Sequence, residues 1–547
     1  MRRRLSSGAV AGRRIQAFAA LALYSTAAFL LLGLAVARAP GSWLVGVGGD
    51  SEIFVWSFAW WPHAIGSGID PLVTHAIWAP VGIDLAWVTS VPGAALLFWP
   101  LTAAYGPVAA YDVAIVACPA LAAFGAYLLA RELCGRFWPA LAGGWVFGFS
   151  SYLLGQSLGH LHAALVFPIP LIALQLLRHV RGELSDRRLI VTCGPLVALL
   201  ISFSTELALT TALAGAVTLA LARVSLGSSF DATLRRLWRP LALACGLAAI
   251  LVSPLVIAAL AGFQTGRINS PFVFSADLAN LVIPTRLTLA GGSLLHPISD
   301  RFRGNLAEDG GYLGLPLLAL CLLEARETWS RRASRIAPLC VAVALVCALG
   351  PVLRIAGVAV APLPWLPLAY LPPFENILPA RLVAYAALAA GLCVASYLAR
   401  RATPGRVALV LVALAAPFPA LASDFWRAPA PVPAGLARAV APGETVLVLP
   451  FGGLGHGMLW QAASDFRFRQ AGGYLRPDPP AAYAHDPAVV ALRAGTAPRP
   501  GDLRAFLRSS GATAIVVDPA YLPAYASTLD PLGITPERVG GVLVYRL

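Results

Sequence analysis

Residues 15–37 carry no charged side chain, and predominantly apolar runs of the same kind recur ten more times before residue 422. About 20 apolar residues are enough to cross the hydrocarbon layer of a bilayer. Inside that layer every backbone N–H and C=O must be bonded within the protein, so segments of this length can only be helices. Composition agrees: 58% of the 547 residues are hydrophobic, 12% are charged, and the mean hydropathy is +0.75. Soluble domains hold about 25% charged residues, so an ordinary soluble globule is excluded.

The runs are 15–37, 107–130, 137–153, 162–177, 189–204, 207–222, 240–262, 311–324, 336–352, 379–399 and 406–422. Three of them, 137–153, 189–204 and 207–222, are short enough to be re-entrant. The connections between them fix an orientation, because short cytoplasmic loops hold an excess of positive charge. Alternate connections carry Arg131 and Arg136; Arg178, Arg181, Arg187 and Arg188; Arg223, Arg235, Arg236 and Arg239; Arg326, Arg331, Arg332 and Arg335; and Arg400, Arg401 and Arg406. With Arg2, Arg3, Arg4, Arg13 and Arg14 at the start, this places the N-terminus inside. The opposite side is poor in arginine along residues 38–106, where only Arg38 occurs. An odd number of spans puts the C-terminus outside.

The formal charge of +14 is therefore a matter of membrane topology, and no nucleic-acid partner is expected. The eight cysteines lie in the apolar runs or at their arginine-marked ends, with no disulfide framework and no C-x-x-C zinc pattern. The run at 15–37 is too long for the apolar core of a signal peptide and reads as a first span.

Three outside stretches are long enough to carry function. Residues 38–106 hold half of the 14 tryptophans, a residue that favours the membrane boundary. Residues 51–66 and 88–105 read there as surface helices, separated by Gly66, Gly68, Pro71, Pro80 and Gly82. Residues 263–310 are polar and loop-like. Residues 353–378 contain Pro362, Pro364, Pro367, Pro372 and Pro373 and cannot form one regular helix. Beyond residue 422 proline and charge rise. Strands are predicted at 445–449, 512–517 and 542–545, and a helix at 502–509. The expected fold is mainly α: a polytopic transmembrane helical bundle of about 11 spans over 1–422, with an extracytoplasmic loop at 38–106. A small extracytoplasmic α/β domain follows over 423–547.

Asp50, in Gly48-Gly49-Asp50-Ser51-Glu52, follows the first span directly and precedes the tryptophan-rich helix. Aspartate before an apolar helix is a normal N-cap. A carboxylate partly desolvated at a membrane boundary is also a stronger base, able to take a proton from a hydroxyl. The two roles are compatible. Glu52 completes an Asp-x-Glu pair that would offer oxygen ligands to a divalent cation, but positions i and i+2 do not share a helix face. No metal or other cofactor is expected.

The order of features resembles the GT-C superfamily of polytopic glycosyltransferases. A first span is followed by a long outside loop opening on Gly-Asp, then by juxtamembrane helices and repeated spans closed by arginine-rich turns. Finer motifs are similar to a bacterial branch of it: Trp78-Ala79-Pro80-Val81-Gly82, Phe149-Ser150-Ser151-Tyr152 leading to Gly159-His160-Leu161-His162, Glu308 before Tyr312-Leu313-Gly314-Leu315, and Pro379-Ala380-Arg381. Val448-Leu449-Pro450 and Gly472-Gly473-Tyr474 look like the same branch. The resemblance implies a hexosyl- or pentosyltransferase in the bacterial cytoplasmic membrane. It would move a sugar from a polyprenyl-phosphate donor to a glycan, lipid or protein acceptor of the cell envelope. Asp50 stands at the position of the family's catalytic carboxylate, and a single displacement would invert the anomeric centre.

Further residues are candidates for substrate binding, each with a plainer reading. Glu52 and Asp84 are acidic residues of the first outside loop; Asp84, like Asp70, His63 and His75, also reads as a solvated loop or turn residue. His160 and His162 flank the outside start of a span, where an imidazole can hold a phosphate or cap the helix. Arg381 opens a span on the arginine-poor side and suits bidentate phosphate binding, or snorkels to the interface. Glu308, Asp309 and Tyr312 stand where they can reach an acceptor or cap a helix. Glu206 is a turn residue or an intramembrane carboxylate, a class that is usually functional. Arg267, Arg286, Arg301 and Arg303 read as a solvated face. Gly452-Gly453-Leu454-Gly455 lacks the lysine and helix context of a phosphate loop. Two other classes share this hydropathy: a transporter or flippase for a lipid-linked glycan, and a non-catalytic envelope assembly protein.

Overall fold

The structure is a computed structural model that describes residues 7–262, 266–372, 374–476 and 478–547. Arg2, Arg3, Arg4 and Pro373 lie outside the described residues, as do residues 263–265 of the polar stretch 263–310. The chain divides into two units. One comprises Met1–Leu34, Ile115–Ser253 and Thr265–Ser423; the other comprises Ala35–Ala114, Pro254–Gln264 and Asp424–Leu547.

Among the described residues five helical stretches are long and apolar enough to cross a membrane: Ala11–Ala37, Trp99–Cys134, Leu161–Val180, Thr205–Leu251 and Pro379–Arg400. The chain is a mainly helical, multi-pass membrane protein. Eleven spans were expected, and the helix ends account for four of the runs that are not among these five stretches. The run at 137–153 stops as a helix at Gly148, and Ser150 accepts the Leu153 N–H to cap a new helix, Ser151–Gln156. The runs at 311–324, 336–352 and 406–422 form helices Gly314–Thr328, Ile336–Ala348 and Pro404–Ala415, of 15, 13 and 12 residues. At 1.5 Å per residue these reach about 18–23 Å, short of a hydrocarbon layer of about 30 Å. Thr205–Leu251 holds two of the expected spans as two helices, Thr205–Leu226 and Asp231–Leu251, with Gly227 at φ 75° between them.

In the first unit, helices Phe137–Gly148 and Val383–Arg400 cross at two glycines. A Cβ on Gly143 would lie 2.5 Å from the Gly391 carbonyl oxygen, and a Cβ on Gly391 would strike the Gly143 carbonyl. Small residues that let backbones approach are what helix pairs use where no hydrophobic effect drives them together. Beside this crossing Tyr24 donates to the Leu141 carbonyl at 2.7 Å, within a buried cluster that includes Tyr127 and Phe149.

The second unit carries a five-stranded sheet. Its order is Glu537–Val539, Val542–Arg546, Ala514–Val517, Thr445–Leu449 and Arg469–Gln470. The first two pairings are antiparallel and the last two parallel, with Leu447 opposite Ile515. Thr445–Leu449 is buried at all five positions, as a parallel strand covered on both faces must be. Helix Pro500–Ser510 precedes strand Ala514–Val517 and ends at Gly511 in the left-handed region. The Trp78-Ala79 motif extends the edge of this sheet: Trp78 N–H donates to Gly472 O and Ala79 N–H to Gln470 O, while Trp78 stacks on Tyr483. Thus residues 38–106 and the chain after residue 423 fold as parts of one unit.

Candidate functional site

The helix Gly49–Gly66 begins against a tightly pinned turn. Val45 N–H donates to Asp112 at 2.9 Å, and the Val45 carbonyl accepts from both Tyr111 and Ser51. Gly48, at φ 71°, is the N-cap. Asp50 is therefore not the cap expected from the sequence. It lies in the first helical turn, where a negative charge is favoured by the helix dipole. Its side chain is half-buried and accepts a hydrogen bond from the Tyr474 hydroxyl at 3.1 Å. Burial first, and then the Asp50 charge, push the Tyr474 hydroxyl well above its ordinary value.

Glu52 points elsewhere, as the i, i+2 spacing requires. It is buried and pairs with His456, Nδ1 to Oε1 at 2.6 Å, and it accepts the Leu459 N–H at 3.4 Å. The imidazole loses from burial but gains more from this carboxylate, so His456 is held above its ordinary value. Asp84 accepts the Ala86 N–H at 2.8 Å and caps a short turn at Leu85–Trp87. Asp70 accepts the Leu72 N–H, His63 meets Asp465 at 3.0 Å, and His75 meets the Pro80 carbonyl. Tyr474 and His456 were not singled out as site residues by sequence. In the sequence Gly472-Gly473-Tyr474 is legible only as a motif, and His456 only follows the glycine turn at 452–455.

In the first unit, Arg381 gathers the other candidates. Its Nη2 donates to Glu308 Oε1 at 2.6 Å and its Nε to Glu308 Oε2 at 3.2 Å. Its Nη1 donates to Glu206 Oε2 and lies 3.2 Å from His162 Nε2. Glu206 opens the helix Thr205–Leu226, and its Oε1 accepts the Leu378 N–H at 2.8 Å. His160 Nδ1 lies 3.0 Å from Gln156 Oε1 and 3.3 Å from Glu308 Oε1. Burial pushes Glu308 up, but Arg381 and His160 outweigh it and hold the carboxyl below the usual carboxylate range. His160, His162, Glu308 and Arg381 thus form one network, joined by Gln156 and Glu206. Arg381 spends its charge on two carboxylates.

Asp309 differs from its neighbour. Burial, then the charges of Glu308 and Asp277, push its carboxyl up to about 8. Tyr312 lines a narrow, largely apolar crevice with Ser151, Tyr152 and Val383. Of the second-loop arginines, Arg286 pairs with Asp300, and Arg267 stacks on Phe272 and Tyr370. Arg301 and Arg303 are exposed. Among the described residues no three His, Cys, Asp or Glu side chains converge as a metal ligand set.

A family model described as a domain of unknown function, DUF6311, matches residues 19–420. No curated protein matches significantly. Three solved structures similar to this chain are glycosyltransferases of the GT-C type. Arabinofuranosyltransferase AftD from Mycobacteria is 16% identical with a TM-score of 0.60, covering 96% of this chain and 39% of its own. Oligosaccharyltransferase AglB from Archaeoglobus fulgidus, in complex with an inhibitory peptide and a dolichol-phosphate, is 12% identical with a TM-score of 0.56, over 98% of this chain and 74% of its own. An oligosaccharyltransferase of Archaeoglobus fulgidus in the apo form is 12% identical with a TM-score of 0.53, over 95% and 73%. This chain therefore spans well under half the length of AftD. The fold is that of the GT-C superfamily, as the order of motifs anticipated.

Proposed function

The chain belongs to the DUF6311 family and has the GT-C fold, and from these premises we propose that it is an integral membrane glycosyltransferase. The donor is a polyprenyl-phosphate sugar and the acceptor a hydroxyl-bearing component of the cell envelope. The observation that carries this reading is Asp50: on this fold, a half-buried carboxylate in the first turn of the first outside helix, with a phenol held on one of its oxygens. The dolichol-phosphate in the AglB complex supports a lipid-linked donor. The arginine-rich connections support an orientation with the N-terminus inside and residues 423–547 outside, and the likeness of the motifs to a bacterial branch supports a bacterial cytoplasmic membrane.

In this mechanism Asp50 accepts the proton of the acceptor hydroxyl as that oxygen attacks the anomeric carbon. The new glycosidic C–O bond forms while the C–O bond to phosphate breaks, and the lipid phosphate leaves with the electron pair. One displacement inverts the anomeric centre. Hydrogen-bond donors fixed before the reaction stabilise the phosphate charge that develops. Within the first unit Arg381 and Glu308 tie His160 and His162 together, and in the second Glu52 ties the helix that carries Asp50 to His456 and Leu459. No step is routed through a cation.

The test is sugar transfer by the full chain in liposomes holding radiolabelled polyprenyl-phosphate sugars and a panel of acceptors, comparing wild type with Asp50→Asn. Transfer that collapses in the variant while donor binding persists is the expected result. Movement of labelled lipid between leaflets without transfer, unaffected by Asp50→Asn, would overturn it in favour of a flippase.

A further inference from the structure

We propose that Tyr474, 424 residues away in sequence, is the positioning residue for the Asp50 carboxylate, set in place by two glycine contacts. This rests on the reading of Asp50 as the base. A Cβ on Gly49 would lie 2.6 Å from the Gly453 carbonyl oxygen, so the residue just before Asp50 touches the 452–455 turn backbone to backbone. A Cβ on Gly453 would in turn lie 2.9 Å from the Tyr474 ring. Gly49, Gly453 and the ring are thus stacked in contact, and the hydroxyl at the end of that ring donates to Asp50 Oδ1 at 3.1 Å. The glycine turn has a use after all. It lets the ring of Tyr474 lie against the start of the helix that bears Asp50.

A donor on one oxygen restricts rotation of the carboxylate and favours its charged form. Among the charged groups of this unit, Arg493 acts on Tyr474, and Glu52, in the same helix turn as Asp50, pairs with His456, on which Asp518 also acts. Neither Glu52 nor His456 replaces the phenol, since their hydrogen bond is to each other.

The experiment uses the full chain in liposomes. Infrared difference titration follows the Asp50 carboxyl band, identified as the one lost in Asp50→Asn, alongside the pH profile of kcat. Tyr474→Phe keeps the ring and both glycine contacts. It is expected to move the Asp50 titration and the acid limb of kcat to higher pH by about one unit, a roughly tenfold loss of rate on the acid side. Tyr474→Leu, which also removes the ring, should move both at least as far. An Asp50 band that titrates identically in wild type and Tyr474→Phe would overturn the proposal. Wild-type protein without sugar transfer would sink the glycosyltransferase reading instead, while the carboxyl titration still decides for or against Tyr474.

Discussion

Arg381 and Glu308 meet as a two-point ion pair, 2.6 Å from Nη2 to Oε1 and 3.2 Å from Nε to Oε2, with both side chains buried. Glu206 takes a further N–H of the same guanidinium. One buried cation therefore serves two carboxylates. Removing one partner of a buried pair costs about 3–5 kcal/mol, because the remaining charge is left in a medium that cannot solvate it. Arg381→Met leaves two such charges, so the variant is expected to lose at least that much or fail to fold. Arg381→Lys keeps the charge but not the planar fork and should fall between. Chemical denaturation in detergent reads both, and an Arg381→Met protein as stable as wild type would refute the assignment.

What the sequence disclosed follows from the range of each signal. The first span, the helix after Asp50 and the buried strand Thr445–Leu449 are written in runs of neighbouring residues, and each stands where it was read. The number of spans was less legible, because apolar runs do not announce where helices stop. Ser150 capping Leu153 and the short helix Ile336–Ala348 depend on neighbours the run does not contain. The N-cap at Asp50 was displaced by Gly48, whose positive φ offers the turn at no steric cost. Glu308, His160, His162 and Arg381 were each legible as polar residues at span ends. Their assembly was not, since Arg381 is 175 residues from Glu206 and 73 from Glu308. Tyr474 was invisible as a site residue for the same reason.

The reciprocal contact of Gly143 and Gly391 makes a prediction about helix packing. Each glycine has the other's carbonyl where a Cβ would sit, and a backbone atom cannot swing aside as a side-chain tip can. Gly143→Ala or Gly391→Ala must push helices Phe137–Gly148 and Val383–Arg400 apart, at a cost of about 1–3 kcal/mol each, typical of overpacking. Once one substitution has separated the helices, the second meets less resistance, so the double variant should lose less than the sum of the singles. Thermal unfolding of the four proteins in one detergent measures this, and strictly additive losses would show that the crossing is not shared.

The carboxyl of Asp309 links stability to pH with a definite sign. Burial, with help from Glu308 and Asp277, raises it to about 8, against an ordinary value of 3.8. In the folded protein at neutral pH it therefore keeps its proton, while in the unfolded chain it has lost it, so folding takes up a proton. A group whose folded value is raised supports stability fully below its unfolded value, and that support drains away as pH rises. The loss begins near pH 4 and is complete once pH passes about 8. Asp309→Asn replaces the neutral acid with a neutral amide of the same shape, so it should remove this slope and leave the protein more stable than wild type at pH 7. The wild-type minus Asp309→Asn difference in Tm, taken from pH 4 to 9 in one detergent, isolates this group from the histidines that titrate in the same range. A difference that stays flat across that window would mean that Asp309 ionises like a solvated carboxyl. A difference that grows from pH 4 and levels off near 8 would place a protonated carboxyl beside the ionised Glu308, with Arg381 accounting for why only one of the two neighbours holds its proton.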